Sequence, residues 1–309
     1  MLNSQRDYVR VYCPALKRFV EIPRKPSRIA SVAPSITETL IDMGLDRVVV
    51  GISTWCKTLK HYGYEEVSDK AIVSNYSSID IDALRRYGID LVLIQNGYQK
   101  TIANMLQGRD IPFYVVRLPT GLDIVEIPIE IGSAVNAVNR GITLSKHIMK
   151  SLNMMHNVVT GITVLIVLDL GGVTLPGNFS FITRVLQYMG LEVVNKDIPS
   201  HYVWGSSAID IASELIRESD VVVIELSDIE VSTERALGVL SLLGSAVRNE
   251  RFTTVVLPVL SLTDFGPQIV WRMKVVAQAI RKAVTGKHHI VLRTNDMYRK
   301  PISSTGYPW

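Results

Sequence analysis

Aromatic side chains recur in the loops that follow predicted strands. Trp55 and Tyr76 each come shortly after a β-branched run, and Trp204 lies in a third such loop. Indole and phenol rings present a flat apolar face with a hydrogen-bonding edge, which suits a large planar or polycyclic ligand held without covalent chemistry. Any one of these rings could equally be a core residue. Three of them in separate loops favour a binding site.

Polar and aromatic residues at the same kind of position complete the predicted binding set. Each member follows a strand closely, and amides are frequent among them. The predicted ligand-binding residues are Ser35, Trp55, Tyr76, Asn96, Tyr98, Asn178, Phe179, Trp204, Asp264 and Phe265.

The stretch "RIASVAPSITETLIDMGL" shows how such positions arise. Residues 28–32 are typical of a short strand, Pro34 interrupts it, and Ser35 opens a helix that Gly44 ends. This junction places backbone N–H groups and small side chains at the carboxyl end of a strand, where open α/β sheets bind ligands.

Strands and helices alternate along the chain, and the second half repeats the plan of the first. "IDIDALRRYGIDLVLIQ" has a counterpart in "IDIASELIRESDVVVIE", and Met-Gly-Leu at 43–45 recurs at 189–191. Asp80 is predicted as the N-cap of the first of these helices. The sequence therefore predicts two related, doubly wound α/β lobes with parallel sheets.

Apolar residues at helical spacing predict one long helix from about Ile131 to Asn157, roughly 40 Å long. Such a helix would bridge the two lobes and leave the ligand in the cleft between them. The predicted divisions are an N-terminal segment (1–26), a first lobe (27–120), the bridging helix (121–160), a second lobe (161–285) and a C-terminal tail (286–309).

Composition excludes several other classes of protein. The 309 residues are 47% hydrophobic and 20% charged, which is typical of a packed protein, and the net charge of +4 is too dispersed for a nucleic-acid interface. No apolar run reaches the ~18 residues of a membrane span. The six histidines and two cysteines form no metal motif, and a disulfide between Cys13 and Cys56 stays open.

Enzymatic motifs are also missing. The sequence has no GxSxG, no P-loop and no GxGxxG after the first strand. Cys56 could serve as a nucleophile with His61 as its base, but a partly buried, inert thiol is the preferred interpretation. We expect no catalytic residues, no metal site and no cofactor.

The segment "VEIPRKPSRIASVAPSITETLIDMGLDRVVVGISTWCK" resembles the opening of the ABC-transporter solute-binding proteins for cobalamin and ferric siderophores, the class with a helical backbone. The resemblance extends through "TLPGNFSFITRVLQYMGLEVV" to "LPVLSLTDFGPQIVWRMKVVAQAI" and covers about residues 19–285. It implies the two-lobed fold with one bridging helix. It also implies that Trp55 and Tyr76 line the cleft.

The same resemblance implies a membrane partner. Members of this family dock on the permease through an acidic residue near the start of one helix in each lobe. Here the first position is Asp82, whereas the second is Ala212, so Glu214 would have to substitute for it. The expected partners are an ABC permease of the iron and cobalamin type and a metal chelate, with no nucleic acid, and the protein is expected to be a monomer.

These observations together predict a non-enzymatic solute-binding protein that delivers a corrinoid or, as second choice, a ferric siderophore or haem. The family works outside the cytoplasm, in the periplasm or at the cell surface. The first twenty residues lack the apolar core of a signal peptide. Two alternatives therefore stay open: a cytoplasmic protein that senses, binds or acts on a tetrapyrrole or metal chelate, and an interaction protein that has lost its ligand.

Overall fold

The computed structural model describes residues 7–97, 99–243 and 252–298. Within them the chain divides into two compact units. The first contains residues 7–118 and Val125–Met149, and the second contains Pro119–Ile124 and residues 150–298. The predicted bridging segment, 121–160, is thus divided between the two.

The first unit holds a parallel five-stranded sheet and a separate two-stranded hairpin. The sheet has the order β5-β4-β3-β6-β7, with every neighbouring pair parallel. Its strands are β3 (Ile29–Ser31), β4 (Val49–Ser53), β5 (Ala71–Ser74), β6 (Leu91–Gln95) and β7 (Phe113–Val116). The hairpin is β1 (Tyr8–Cys13) and β2 (Arg18–Pro23).

Helices connect most of these strands, as the alternating pattern predicts, and further helices follow β7. They are α1 (Pro34–Asp42), α2 (Ile81–Arg86), α3 (Lys100–Leu106), α4 (Ile127–Ala134) and the first part of α5 (Val138–Asn153). The Asp80 carboxylate caps α2 by accepting a hydrogen bond from Ala83 N at 2.9 Å, which confirms its predicted role.

The second unit has a mixed sheet. Within the described residues its order is β11-β9-β8-β12-β13-β14, with β10 paired to β8. The strands are β8 (Thr163–Asp169), β9 (Val173–Pro176), β10 (Glu192–Val193), β11 (Tyr202–Trp204), β12 (Val221–Glu225), β13 (Thr253–Leu257) and β14 (Ile290–Val291). The helices are α6 (Phe181–Tyr188), α7 (Gly205–Leu215), α8 (Thr233–Leu240), α9 (Ile269–Gly286) and α10 (Thr294–Met297).

The predicted α/β fold with parallel sheets is confirmed, with one difference in the second unit, where one strand is antiparallel. β9 runs antiparallel to both β8 and β11, whereas β8, β12, β13 and β14 are parallel. The turn at Leu170–Gly172 is tight enough to join β8 and β9 as a hairpin, since Gly171 has a φ of 82°.

The repeated Met-Gly-Leu triplet has one structural role in both units. Gly44 and Gly190 adopt positive φ values of 67° and 98° directly after α1 and α6. The next leucine then donates its N–H to the carbonyl five residues back, from Leu45 to Leu40 and from Leu191 to Leu186. Each triplet is a glycine-terminated helix end, so the duplication extends to helix termination.

The predicted long helix is interrupted, which corrects its start and its length. α5 has 16 residues, about 24 Å, and begins at Val138. Asn136 has a φ of 56°, a left-handed conformation that asparagine tolerates and that ends a helix. A Cβ on Gly141 would lie 2.3 Å from Pro128 O, so α4 folds back closely against α5. The chain turns here instead of running straight.

Candidate functional site

The carboxyl edge of the first sheet gathers several of the predicted binding residues. Since β3 to β7 are all parallel, the residues that follow them emerge at a single edge of the sheet. Ser35, Trp55, Tyr76 and Asn96 follow β3, β4, β5 and β6 in turn. The structure therefore places these four residues at the sheet edge that the sequence indicates, and their contact with ligand stays a prediction. Tyr98 lies outside the described residues.

Trp55 and Tyr76 form a ring pair at this edge. Their centroids are 6.4 Å apart and the ring planes meet at 68°, an edge-to-face arrangement. Trp55 is half-buried at the start of a 3-10 segment, Trp55–Tyr62, and Tyr76 is 43% exposed. The Tyr76 turn is fixed by Asn75, whose Oδ1 accepts from Ser77 N and Ser78 N at 2.9 and 2.8 Å. The pair is therefore positioned on local turns with part of its ring surface exposed.

A buried amide ties the ends of β3 and β6 together. Gln99 Nε2 donates to Val32 O at 2.5 Å, and Gln99 Oε1 accepts from Gln95 N at 2.8 Å. Ser35 is buried and its hydroxyl donates to Gln95 Oε1 at 3.4 Å. Sequence reasoning missed Gln99, since nothing in its neighbours marks it as buried. Asn96 is exposed beside this clamp.

Cys56 belongs to a buried hydroxyl cluster under Trp55. Its thiol lies 3.1 Å from Ser53 Oγ and accepts from Thr37 Oγ1 at 3.2 Å. The side chain is fully buried, so substrate cannot reach it. This placement supports the inert-thiol interpretation over the nucleophile.

A second polar cluster lies at the end of β7, around Arg117. Arg117 pairs with Glu126 at 2.6 Å and with Glu130 at 3.0 Å. Burial raises the pKa of the Glu130 carboxyl, and it also raises that of the Tyr114 hydroxyl, which donates to Glu130 at 3.4 Å. Arg117 is therefore held by carboxylates of its own unit.

The carboxyl edge of the second sheet is filled by a buried carboxylate. Glu225, at the end of β12, accepts from Leu260 N, Leu262 N and Thr263 N at 3.0, 2.5 and 3.1 Å, and from the Thr263 hydroxyl. Leu260 has a φ of 66°, which is strained for leucine. Burial raises the pKa of Glu225 to about 7, and the hydrogen bonds from Thr263, Leu262 and Leu260 oppose that rise.

Asp264 and Phe265 follow in the same loop, and both are buried. Asp264 pairs with Arg272 at 2.9 Å, with both side chains at most 1% exposed. Phe265 packs edge-to-face on Phe181 at 5.9 Å. The expectation that these two residues contact ligand is not supported by this placement, because their side chains serve the interior of the second unit.

The remaining predicted aromatic residues lie near the β9–β11 pair. Trp204 is 50% exposed and is aligned with Thr174, which pairs with Leu168 near the carboxyl end of β8. Trp204 also contacts Tyr202, with 6.0 Å between ring centroids. Trp204 thus ends strand β11, whereas the sequence pattern predicts it in a loop.

Asn178 and Phe179 follow β9, and the premise behind their selection is wrong. β9 is antiparallel to β8, so its end points away from the carboxyl edge of that sheet. Phe179 is 47% exposed and lies 5.9 Å from the ring of His201, a residue that sequence reasoning did not select. Asn178 is half-buried, and its backbone carbonyl accepts from Arg184 Nε at 2.9 Å.

The two predicted docking carboxylates differ in position. Asp82 is 91% exposed in the first turn of α2, with a weak ion pair to Arg85 at 3.7 Å. Glu214 is exposed in the last turn of α7, and Ala212 is fully buried. α7 begins at Gly205, five residues before Asp210, so the second helix starts earlier than its counterpart and does not present Glu214 at its N-terminus.

The described residues contain no group of three or more His, Cys, Asp or Glu side chains that could hold a metal ion. No helix there is both long and apolar enough to cross a membrane.

Comparison with known proteins identifies the class. The periplasmic binding protein family matches residues 29–238, more than half of the chain, so the chain belongs to this family. Its members are the non-enzymatic, extracytoplasmic substrate-binding components of ABC importers, which implies a permease partner. No curated protein sequence matches this chain.

Solved structures share the fold at low sequence identity. The petrobactin-binding protein YclQ from Bacillus subtilis aligns with a TM-score of 0.65 and 15% identity over 90% of this chain and 99% of its own. The apo heme-binding protein RhuT from Roseiflexus sp. RS-1 gives 0.64 and 16% over 84% and 99%. The vitamin B12 binding protein BtuF of Vibrio cholerae gives 0.59 and 18% over 84% and 98%.

Proposed function

We propose that this solute-binding protein carries a large metal chelate, a corrinoid first and a ferric siderophore or haem second, to an ABC importer outside the cytoplasm. The observation that carries the proposal is the partly exposed Trp55–Tyr76 pair at the carboxyl edge of the first sheet. Two rings at 68° offer one face and one edge to a macrocycle. The proteins of similar fold that bind vitamin B12, heme and petrobactin lend support.

Charge at the two carboxyl edges favours the corrinoid over an acidic siderophore. The arginines there are each paired with carboxylates: Arg117 with Glu126 and Glu130, Arg235 with Asp169 and Asp228, and Arg272 with Asp264. An anionic catecholate or carboxylate chelate would have to compete for these cations. A corrinoid needs flat apolar surface and amide partners. The Trp55 and Tyr76 rings supply the surface, and the exposed side chain of Asn96 supplies an amide.

Titration of the purified chain with cyanocobalamin, haemin and a ferric hydroxamate tests the choice of ligand. We expect absorbance shifts and calorimetric binding with cyanocobalamin at the lowest concentration. Binding of the hydroxamate alone would reverse the order of preference, and binding of none of the three would contradict the proposal.

Ring substitutions test the site. Trp55→Ala and Tyr76→Ala should each weaken binding by about 1–3 kcal/mol while the fold is retained. Tyr87→Ala is the matched control, because Tyr87 ends α2 at the opposite, amino edge of the same sheet. If both ring variants bind as the wild type does, the site is not at this edge.

We also propose that Asp82 docks on the permease. It is the exposed carboxylate in the first turn of α2, where a permease arginine could reach it. Asp82→Arg should abolish uptake and permease pull-down at unchanged ligand affinity, and Glu214→Arg should do less. Wild-type association of the Asp82 variant would remove this docking role.

A further inference from the structure

The β1–β2 hairpin lies outside the segment that matches the family, and the proposed function does not use it. Its pairing sets Tyr12 opposite Phe19 and Arg10 opposite Glu21. These residues and Tyr8 occupy one exposed face, since side chains alternate along a strand. We call this the outer face of the hairpin.

The opposite face anchors the hairpin to the first unit. Cys13 and Ile22 are fully buried there. The Cys13 thiol donates to Val115 O at 3.2 Å, and the Tyr114 hydroxyl donates to Tyr12 O at 3.3 Å. Val115 and Tyr114 both belong to β7. These two hydrogen bonds therefore fix the hairpin to the sheet, with its outer face toward solvent.

Three large rings are exposed together on the outer face. Tyr8, Tyr12 and Phe19 are 44%, 50% and 57% exposed. Tyr12 and Phe19 contact each other with centroids 5.4 Å apart, and Arg10 lies 5.2 Å from the Phe19 centroid. Large rings exposed on one face of a fixed hairpin indicate an interaction surface. Single apolar residues scattered over a surface are normal and need no partner.

Positive charge is concentrated around these rings. Residues 7–28 contain six Lys and Arg against two acidic residues, a net +4 that equals the net charge of the whole chain. Arg24 is paired with Asp7 and Arg28 binds Tyr87 O. The exposed side chains of Lys17, Arg18 and Lys25 have no ion pair with any described residue. Lys17 has a φ of 52° in the turn between the strands.

We propose that the outer face of the β1–β2 hairpin docks on an anionic lipid bilayer. Tyrosine and phenylalanine rings settle at the level of lipid headgroups, and lysine and arginine beside them bind lipid phosphates. The charge complementarity supports an anionic partner, and the three exposed rings on one face favour a bilayer over a nucleic acid. Such docking would hold the binding protein near a membrane-embedded permease.

Co-sedimentation with vesicles tests the proposal on the full chain. The wild type should bind vesicles that contain phosphatidylglycerol and should not bind pure phosphatidylcholine, and added salt should weaken binding because the cations are exposed. The double variant Lys17→Glu/Arg18→Glu should lower the partition coefficient at least about tenfold. Tyr12→Ser/Phe19→Ser should lower it by a similar factor without removing charge.

The matched control is Arg281→Glu/Lys282→Glu, which makes the same charge change at two adjacent exposed positions of α9. It should bind vesicles nearly as the wild type does, and thermal unfolding should show all three variants folded. Equal losses in the control and in the hairpin charge variant would overturn the proposal, as would binding to duplex DNA without binding to vesicles. Ligand titration should be unaffected by these substitutions, because none of them lies among the proposed binding residues, so the vesicle result tests the hairpin separately from the proposed chelate.

Discussion

In the first unit, the carboxyl edge of the sheet carries the partly exposed rings of Trp55 and Tyr76, whereas in the second unit the edge beside β12 and β13 is filled by Glu225 and the Asp264–Arg272 pair. Both edges arise from the same repeated strand–helix plan. The difference shows that the repeated order of strands and helices determines which residues follow a strand, but not whether those residues are exposed or buried. The first edge exposes ring surface, whereas the second edge beside β12 and β13 uses buried polar groups to hold the loop at residues 260–264.

The largest expected effect comes from breaking the buried pair of the second unit. Arg272→Met removes the buried cation that pairs with Asp264, and we expect the free energy of unfolding to fall by about 3–5 kcal/mol. Denaturant unfolding measures this. The double variant Asp264→Leu/Arg272→Met should recover most of the loss.

Arg24→Met is the control for that experiment, because Arg24 pairs with Asp7 at 2.5 Å while both side chains are mostly exposed, at 57% and 69%. Its loss should cost at most about 1 kcal/mol. Equal costs for Arg24→Met and Arg272→Met would erase the distinction between the buried edge and an ordinary surface pair.

Next in size is a pH effect from Glu225. Its pKa in the folded protein, about 7, lies above the ordinary 4.5, so its contribution to stability is full at acidic pH and is lost as pH rises from about 4.5 to 7. The loss should amount to about 3 kcal/mol. Denaturant unfolding across this pH range should show the decline.

Glu225→Gln should remove that decline. The variant also replaces one acceptor oxygen with an NH₂ group, so it should be less stable than the wild type at acidic pH, and this difference should shrink as pH rises toward 7. A variant that keeps the slope of the wild type would show that ionising Glu225 costs nothing in this loop.

The repeated aspartates allow a smaller, local test of the comparison. Asp80 caps α2, whereas Asp210 lies in the middle of α7. Asp80→Ala should cost about 0.5–2 kcal/mol of stability, and Asp210→Ala should stay within about 0.5 kcal/mol. Thermal or denaturant unfolding of both variants measures the difference, and similar costs would mean that the two helices start alike.

The smallest expected effect is the coupling between the two rings of the first unit. A double-mutant cycle of Trp55→Ala and Tyr76→Ala without ligand should give an interaction energy of about 0.5–1.5 kcal/mol in unfolding experiments. A coupling near zero would show that the rings are neighbours without stabilising each other.

Local patterns in the sequence predicted much of the fold. Strand β3, helix α1 with its end at Gly44, and helix α2 with its Asp80 cap all lie where periodicity and capping signals put them. These signals act within one or two turns of chain, so a single sequence displays them. The edge positions of Trp55 and Tyr76 follow from the same local reasoning.

Features that depend on distant partners could not be read from the sequence. Glu225 meets its donors 35 to 38 residues away, and Gln99 reaches Val32 from 67 residues away. The antiparallel direction of β9 depends on a tight turn at Gly171, and the break before α5 depends on the close approach at Gly141. Burial of Asp264 and Phe265 likewise needs α6 and α9 in place.

Both cysteines of the chain, Cys13 and Cys56, are fully buried, and burial raises the pKa of the Cys13 thiol. Neither thiol should therefore react readily with maleimide reagents in the folded protein. A cysteine introduced at an exposed position near the ring pair, such as Ser77→Cys, would become the single labelling site. A fluorophore attached there would report occupancy of the edge directly, turning the native protein into an optical sensor without any prior removal of cysteines.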